Sequence, residues 1–267
     1  MHDQSKRVIS DGHGPMSIQL WSTRGDDPLP EQLRVLASLG FTDVQTSHEQ
    51  YADVPYLKDC IAEAGMTCVS GLFRFSSFEG DAMPVISAAR ALGMQLVAAP
   101  WLDEDKRPTD KEGWKAVHDV LAGFRERIED AGLRFAWHNH DFEFARVADG
   151  TCGIEYLLGE DIDLVADLAW VQIAQEDPGF WLRRYAGRIP AVHIKDVASP
   201  GSYPEQGGFA DVGQGVMDWT GLWQLLDALG IPLRSVEHDE PGDWRRFARV
   251  SAQAIQKLRS GASLVEA

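Results

Sequence analysis

The chain is poor in three things, and each scarcity narrows what it can do. It has three cysteines, Cys60, Cys68 and Cys152, an odd set with no CxxC spacing. That excludes a disulfide framework and a thiolate zinc cluster, and predicts free, buried thiols in a reducing compartment. It has no apolar run approaching the roughly 18 residues that a membrane-spanning helix needs. Its start, Met1 to Gly12, lacks the apolar stretch of a signal peptide. It is also short of cations, with 25 Lys and Arg against 41 Asp and Glu and a net charge of −16. Nucleic acid and anionic membrane surfaces both demand a cationic face, so neither is an expected partner. These features together lead us to expect a cytoplasmic protein acting on a small molecule.

A hydrophobic content of 44% over 267 residues suits one large α/β domain. The chain repeats a short apolar strand, a loop and an amphipathic helix. Strands are predicted at 17–21, 42–46, 67–71, 94–99, 133–138, 163–167, 190–195 and 232–237. Helical patterns lie between them, for example at 30–39, 83–92, 111–131, 219–229 and 243–258. Several helices end on glycine just before the next strand: Gly40, Gly65, Gly93, Gly132 and Gly230, with Gly187 a less regular case. Glycine is the residue that best takes the left-handed conformation closing a helix. Eight βα units imply parallel strands and a closed (β/α)8 TIM barrel, a single domain over residues 16–260 with loose tails at 1–15 and 261–267. An open doubly wound sheet would carry a glycine-rich turn after strand 1; here that turn is Ser22-Thr-Arg-Gly-Asp-Asp27. The Gly/Pro-rich segment 198–217 reads as a lid or binding loop, or else as a plain surface excursion.

Barrel chemistry sits at the C-terminal ends of the strands. His138, His140 and Glu143 follow strand 5, Asp167 ends strand 6, His193 and Lys195 end strand 7, and Glu237 and His238 end strand 8. His48, after strand 2, faces the same rim. Strand alternation puts His193 and Lys195 on one face with Ala191, Glu237 with Ser235, and Asp167 with Val165, whereas His238 has the opposite parity. Carboxylates with an imidazole suit a divalent ion such as Mn²⁺, Mg²⁺ or Co²⁺ more than a thiolate-type zinc site. Such an ion polarises a carbonyl and stabilises the enediolate left when a neighbouring C–H proton departs, and a histidine is matched to taking that proton at neutral pH. Lys195 either contacts substrate or pairs with a nearby acid. Trp21, Trp101 and Trp170 either stack on a sugar face or pack at the rim. Asp196 and Asp218 read as structural acceptors, and Gly213 and Gly215 as turn residues.

The segments Ser17-Ile-Gln-Leu-Trp-Ser22, His138-Asn-His-Asp-Phe-Glu-Phe144, Ala166-Asp-Leu-Ala-Trp170, Gly187 to Asp196, Val212-Gly-Gln-Gly215 and Val236-Glu237 resemble the sugar phosphate isomerase/epimerase family, within the xylose isomerase-like barrel superfamily. The similarity runs from about residue 15 to 260. It implies a divalent metal, commonly manganese, with Zn²⁺ also admissible, and proton abstraction from a ketose, keto-inositol or keto-glycoside. By motif position Glu143, Asp167, His193 and Glu237 would be the metal ligands and His140 the base, with Glu143, Glu237 and Lys195 as further catalytic candidates. Many relatives carry Glu where Gln45 and His138 stand, so His138 is an alternative ligand to Glu143. The resemblance implies an isomerase or epimerase of a keto-sugar or cyclitol, and a homodimer at the level of the family. A dehydratase or lyase on a keto-inositol or 3-keto-glycoside is the near alternative, and a non-catalytic sugar-binding barrel the distant one.

Overall fold

A computed structural model of the chain describes residues 14–264. Most of the expected N-terminal tail, residues 1–13, and residues 265–267 of the expected C-terminal tail lie outside the described residues. The elements run β1 Met16–Gln19, α1 Leu29–Ser38, β2 Asp43–Thr46, α2 Val54–Glu63, β3 Thr67–Leu72, α3 Met83–Leu92 and β4 Leu96–Ala99. They continue α4 Lys111–Asp130, β5 Arg134–His138, α5 Gly153–Leu158, β6 Asp163–Asp167, α6 Leu168–Ile173, α7 Pro178–Arg184 and β7 Ala191–Ile194. The last are β8 Asp196–Val197, β9 Phe209–Ala210, α8 Trp219–Ala228, β10 Leu233–Val236 and α9 Trp244–Arg259. Eight parallel strands close into a barrel in the order β1-β10-β7-β6-β5-β4-β3-β2. β8 and β9 form a separate antiparallel hairpin.

The period-2 alternation of the strands divides the core in two. Leu72, Leu96, Ala98, Ala136, Val165, Ala191 and Leu233 pack together inside the barrel. The residues between them, including Val97, Phe135, Trp137, Leu164, Ala166, Val192, Ile194 and Val236, join the larger core shared with the helices. The helices meet that core with residues spaced three or four apart. In α9, Phe247, Ala248, Ser251, Ala252, Ile255 and Leu258 are buried, and Asp243 caps the first turn by accepting from the backbone N–H of Arg245 and Arg246. Each fully buried Leu, Ile or Phe contributes roughly 1.5–3 kcal/mol. The three cysteines are free and buried.

The expected glycines Gly40, Gly65, Gly93, Gly132 and Gly230 all have positive φ. At Gly93 this is the left-handed residue closing α3, with φ 77°. Gly187 differs: α7 already ends at Arg184, and Gly187 lies within a 3₁₀ turn, Ala186–Arg188, without a positive φ.

The long segment after β7 turns inward. Asp196 is fully buried and accepts four backbone N–H groups: those of Val197 and Met217 on Oδ1, and those of Gly213 and Gly215 on Oδ2. Only glycine fits at 215, since a Cβ there would run into the Asp196 carboxylate and the Val197 carbonyl. The loop is thereby drawn in, and its Phe209 is buried against Lys195 and Trp170. Asp218 caps α8 by accepting from Gly221 N–H.

Candidate active site

Register brings the site together. β6 pairs with β7 so that Asp167 lies opposite His193, and β10 pairs with β7 so that Ser235 lies opposite His193, two residues before Glu237. β5 joins β6 with His138 opposite Val165. Asn139 fastens this corner, its side-chain oxygen accepting from Asp167 N at 2.9 Å and its amide donating to Asp167 O at 3.2 Å. One ligand atom each from His138, Asp167, His193 and Glu237 then lies within 4.8 Å of the others, and all four residues are buried.

The donor atoms are aimed at one another with little else to bind. Asp167 Oδ1 caps α6, accepting from Ala169 N and Trp170 N at 2.9 and 3.0 Å, while buried Oδ2 has no hydrogen-bond partner. His138 Nδ1 is buried and unpartnered too. His193 Nδ1 is 2.5 Å from Glu237 Oε2 and 3.8 Å from Asp167 Oδ2. Burial pushes the Asp167 carboxyl up to about 6 and raises Glu237, although the Lys195 ammonium opposes both shifts. Burial also drives His138 down to about 3 and His193 to about 4. The four groups thus resist carrying charge among themselves. A divalent cation reverses that balance, since it favours ionised carboxylates and neutral imidazoles. Two imidazoles, two carboxylates and two orphaned buried atoms fit such an ion.

Glu143, the fourth ligand expected from the sequence, is placed elsewhere. It is fully buried in the 3₁₀ turn Phe142–Phe144. Its Oε1 accepts from Trp137 Nε1 at 2.8 Å and its Oε2 from the His140 backbone N–H at 2.9 Å. Both oxygens are committed, and His138, the alternative ligand, is the strand-5 residue in the cluster. Burial pushes the Glu143 carboxyl up to about 8.

Lys195 is fully buried, and its Nζ lies 2.6 Å from Asp239, 3.5 Å from Asp167 and 3.9 Å from Glu237. Burial alone would lower it, but those three carboxylates hold it above the ordinary lysine range. The rings of Trp170 and Phe209 lie 4.9 and 4.4 Å from the ammonium and seal it from water. Asp239 was not foreseen, and its only sequence signal is its place just past strand 8.

A cavity of about 650 Å³ opens above the cluster. His138 and Glu237 are at its floor, with His140, Trp101 and Trp170 on one wall and Trp21, Arg24 and His48 on another. The His140 ring stands edge-on to Trp101 at 4.7 Å and 5.3 Å from Trp170. Burial, reinforced by the neighbouring His138 and Lys195, holds it well below the ordinary imidazole range, so it is neutral at pH 7. Arg24 lies 3.4 Å over Trp21 and donates to the backbone oxygens of Trp21 and Asp239. His238 points away from the cavity and packs between Phe209 and Phe247.

The family model described as xylose isomerase-like TIM barrel matches residues 33–260. The chain belongs to this family. Among curated proteins, the xylose isomerase-like chain is 24% identical over 191 residues to a rhizopine catabolism protein, MocC, of Rhizobium meliloti. That alignment covers 65% of the chain and 59% of the relative. It is 25% identical over 137 residues to an inosose dehydratase of Clostridium beijerinckii, covering 46% of each. The chain therefore spans about half the length of these relatives. Among solved structures it is similar to a sugar phosphate isomerase/epimerase of Parabacteroides distasonis, with a TM-score of 0.74 and 22% identity over 96% of this chain and 98% of that one. Among the described residues no helix is long and apolar enough to cross a membrane.

Proposed function

We propose that this protein is a divalent-ion-dependent isomerase or epimerase of a keto-sugar or cyclitol, working by removal of a proton next to a carbonyl. The observation that carries this reading is the buried group His138, Asp167, His193 and Glu237 at the floor of a sugar-sized cavity. These four residues would hold the ion. Two imidazoles beside two carboxylates suit Mn²⁺, Co²⁺ or Zn²⁺ better than Mg²⁺, and manganese is our first choice. When bound, the ion supplies Lewis acidity to a substrate carbonyl and its neighbouring hydroxyl.

The chain's own groups do the rest. His140 is neutral, stands on the cavity wall beside His138, and is held by three aromatic rings and by its backbone bond to Glu143. It accepts the α-proton on a ring nitrogen. Lys195 sets a fixed positive charge behind the cluster, beside Asp167 and Glu237, that favours negative charge developing near the ion, and Asp239 holds it there. Trp101 and Trp170 offer apolar faces to the C–H side of a sugar ring. Epimerisation needs a proton delivered to the opposite face by a second group, for which Glu237 in the cavity lining is the candidate, and return of the proton from His140 to the adjacent carbon isomerises.

A second reading, dehydration by loss of a β-hydroxyl from the same intermediate, is favoured by the similarity to an inosose dehydratase. Product analysis separates the two. Protein loaded with Mn²⁺, Co²⁺ or Zn²⁺ is incubated with a panel of ketoses, keto-inositols and 3-keto-glycosides. A mass-neutral epimer or isomer supports the first reading, and a product lighter by one water supports the second. No turnover on any member, with the ion bound, counts against both and favours a sugar-binding barrel.

A further inference from the structure

His193 is held from behind by a residue on the far side of the barrel. Its Nε2 lies 2.7 Å from Gln45 Oε1. Gln45 belongs to β2 and His193 to β7, with β1 and β10 between them, so the amide crosses the barrel interior to reach the ring. Gln45 is fully buried, and its own Nε2 donates to Ser70 Oγ on β3 at 3.0 Å. In this arrangement the amide nitrogen is turned to Ser70, whose hydroxyl accepts from it, and the amide oxygen faces His193. A ring that donates through Nε2 carries its in-plane lone pair on Nδ1, so in the ion-free protein the proton of the 2.5 Å bond between Nδ1 and Glu237 Oε2 sits on Glu237, and an ion takes that proton's place.

The residue type matters as much as the bond. A carboxylate here would accept the same hydrogen bond, but it could not donate to Ser70, and it would add a third buried negative charge to a donor set already holding two. Two carboxylates with two neutral imidazoles match one divalent cation in charge. The neutral amide keeps that balance.

We propose that Gln45 is a positioning residue that presets the Nε2–H tautomer of His193, leaving Nδ1 free as a metal donor, and that it does so without adding charge to the site. The affinity arm of the test rests on the divalent-ion reading, and the tautomer arm does not.

In ion-free protein carrying ¹⁵N-histidine, long-range ¹H–¹⁵N correlation spectra are expected to show His193, assigned by its loss in His193→Gln, in the Nε2–H form. Gln45→Leu is expected to mix the two tautomers and to weaken Zn²⁺ binding by calorimetry about 10–100-fold. Gln45→Glu, which keeps the acceptor, should retain the Nε2–H form. Ser70→Ala frees the amide to turn and should raise the Nδ1–H population. If Gln45→Leu does not fold, the Glu and Ser70 variants carry the same test. Wild-type His193 in the Nδ1–H form, donating to Glu237, overturns the proposal. So does a folded Gln45→Leu with unchanged tautomer and Kd, or a Ser70→Ala with unchanged populations. A wild-type chain that binds no Zn²⁺ sinks the ion reading instead, and the tautomer result still reports on Gln45.

Discussion

Substituting Glu143 by Gln separates the two candidates for the strand-5 ligand. The glutamate has two oxygens and two buried donors, Trp137 Nε1 at 2.8 Å and His140 N at 2.9 Å. A glutamine has one oxygen and turns an NH₂ toward one of those N–H groups, leaving a buried donor without an acceptor. Such a group costs about 1–3 kcal/mol. In a chain of this size each kcal/mol shifts Tm by about 2–4 °C, so a drop of about 2–12 °C is expected. Ion affinity should stay within about twofold, because Glu143 shares no hydrogen bond with the four-residue cluster. Turnover should fall, because the His140 backbone loses its anchor. In parallel, His138→Ala should cost at least about 100-fold in Mn²⁺ or Zn²⁺ affinity, more than the loss of an outer partner. The assays are thermal unfolding and calorimetric titration of chelator-stripped protein. A Glu143→Gln protein that melts in the expected range but takes no ion, beside a His138→Ala protein that keeps it, would return Glu143 to the donor set and refute the reasoning.

Other consequences are as direct. His140→Ala should keep the ion and lose about 10²–10⁴-fold in kcat, and a full rate on the true substrate would remove His140 as the base. Lys195→Met should retain the ion and lose about 10²-fold or more in kcat, read by steady-state kinetics. Asp43 is buried with a pKa pushed up from 3.8 to about 6, chiefly by burial. Its folded form holds a proton that the unfolded chain gives up, so its contribution is present below pH 4 and is lost as pH rises to about 6. The difference of about two units is worth about 3 kcal/mol. Denaturant melts of wild type and Asp43→Asn should show the gap between them moving in the variant's favour by that amount from pH 4 to pH 7, and a pH-independent gap contradicts the assignment. Asp196→Ala, which removes the acceptor of four backbone N–H groups, should cost at least about 3 kcal/mol and expose segment 198–217 to limited proteolysis.

The barrel and its inward faces were legible because each rests on local periodicity. Val165 with Asp167, and Ala191 with His193, follow from alternation alone, and both pairs point inward. Other features depend on where the backbone goes after a strand ends. The chain leaves β5 at His138, and a 3₁₀ turn folds Glu143 back under Trp137, a path that motif spacing does not describe. The two oxygens of Asp167 are divided between the cap of α6 and the cluster, a division that strand parity does not show. Contacts across the barrel leave no local signal. Gln45 meets His193 from 148 residues away, and before folding it registers only as an amide where many relatives have an acid. Gly187 misled for a related reason: a helix can end in a 3₁₀ turn as well as on a left-handed residue.

The most direct test of the central claim is exchange of a carbon-bound proton with solvent. Metal-loaded protein is incubated in D₂O with keto-inositols and ketoses, and the hydrogen next to the carbonyl is followed by proton NMR. Proton abstraction predicts that this signal disappears with the loaded wild-type protein, and that it persists with chelator-stripped protein and with His140→Ala. Conversion of a substrate to product with that hydrogen fully retained would contradict the account.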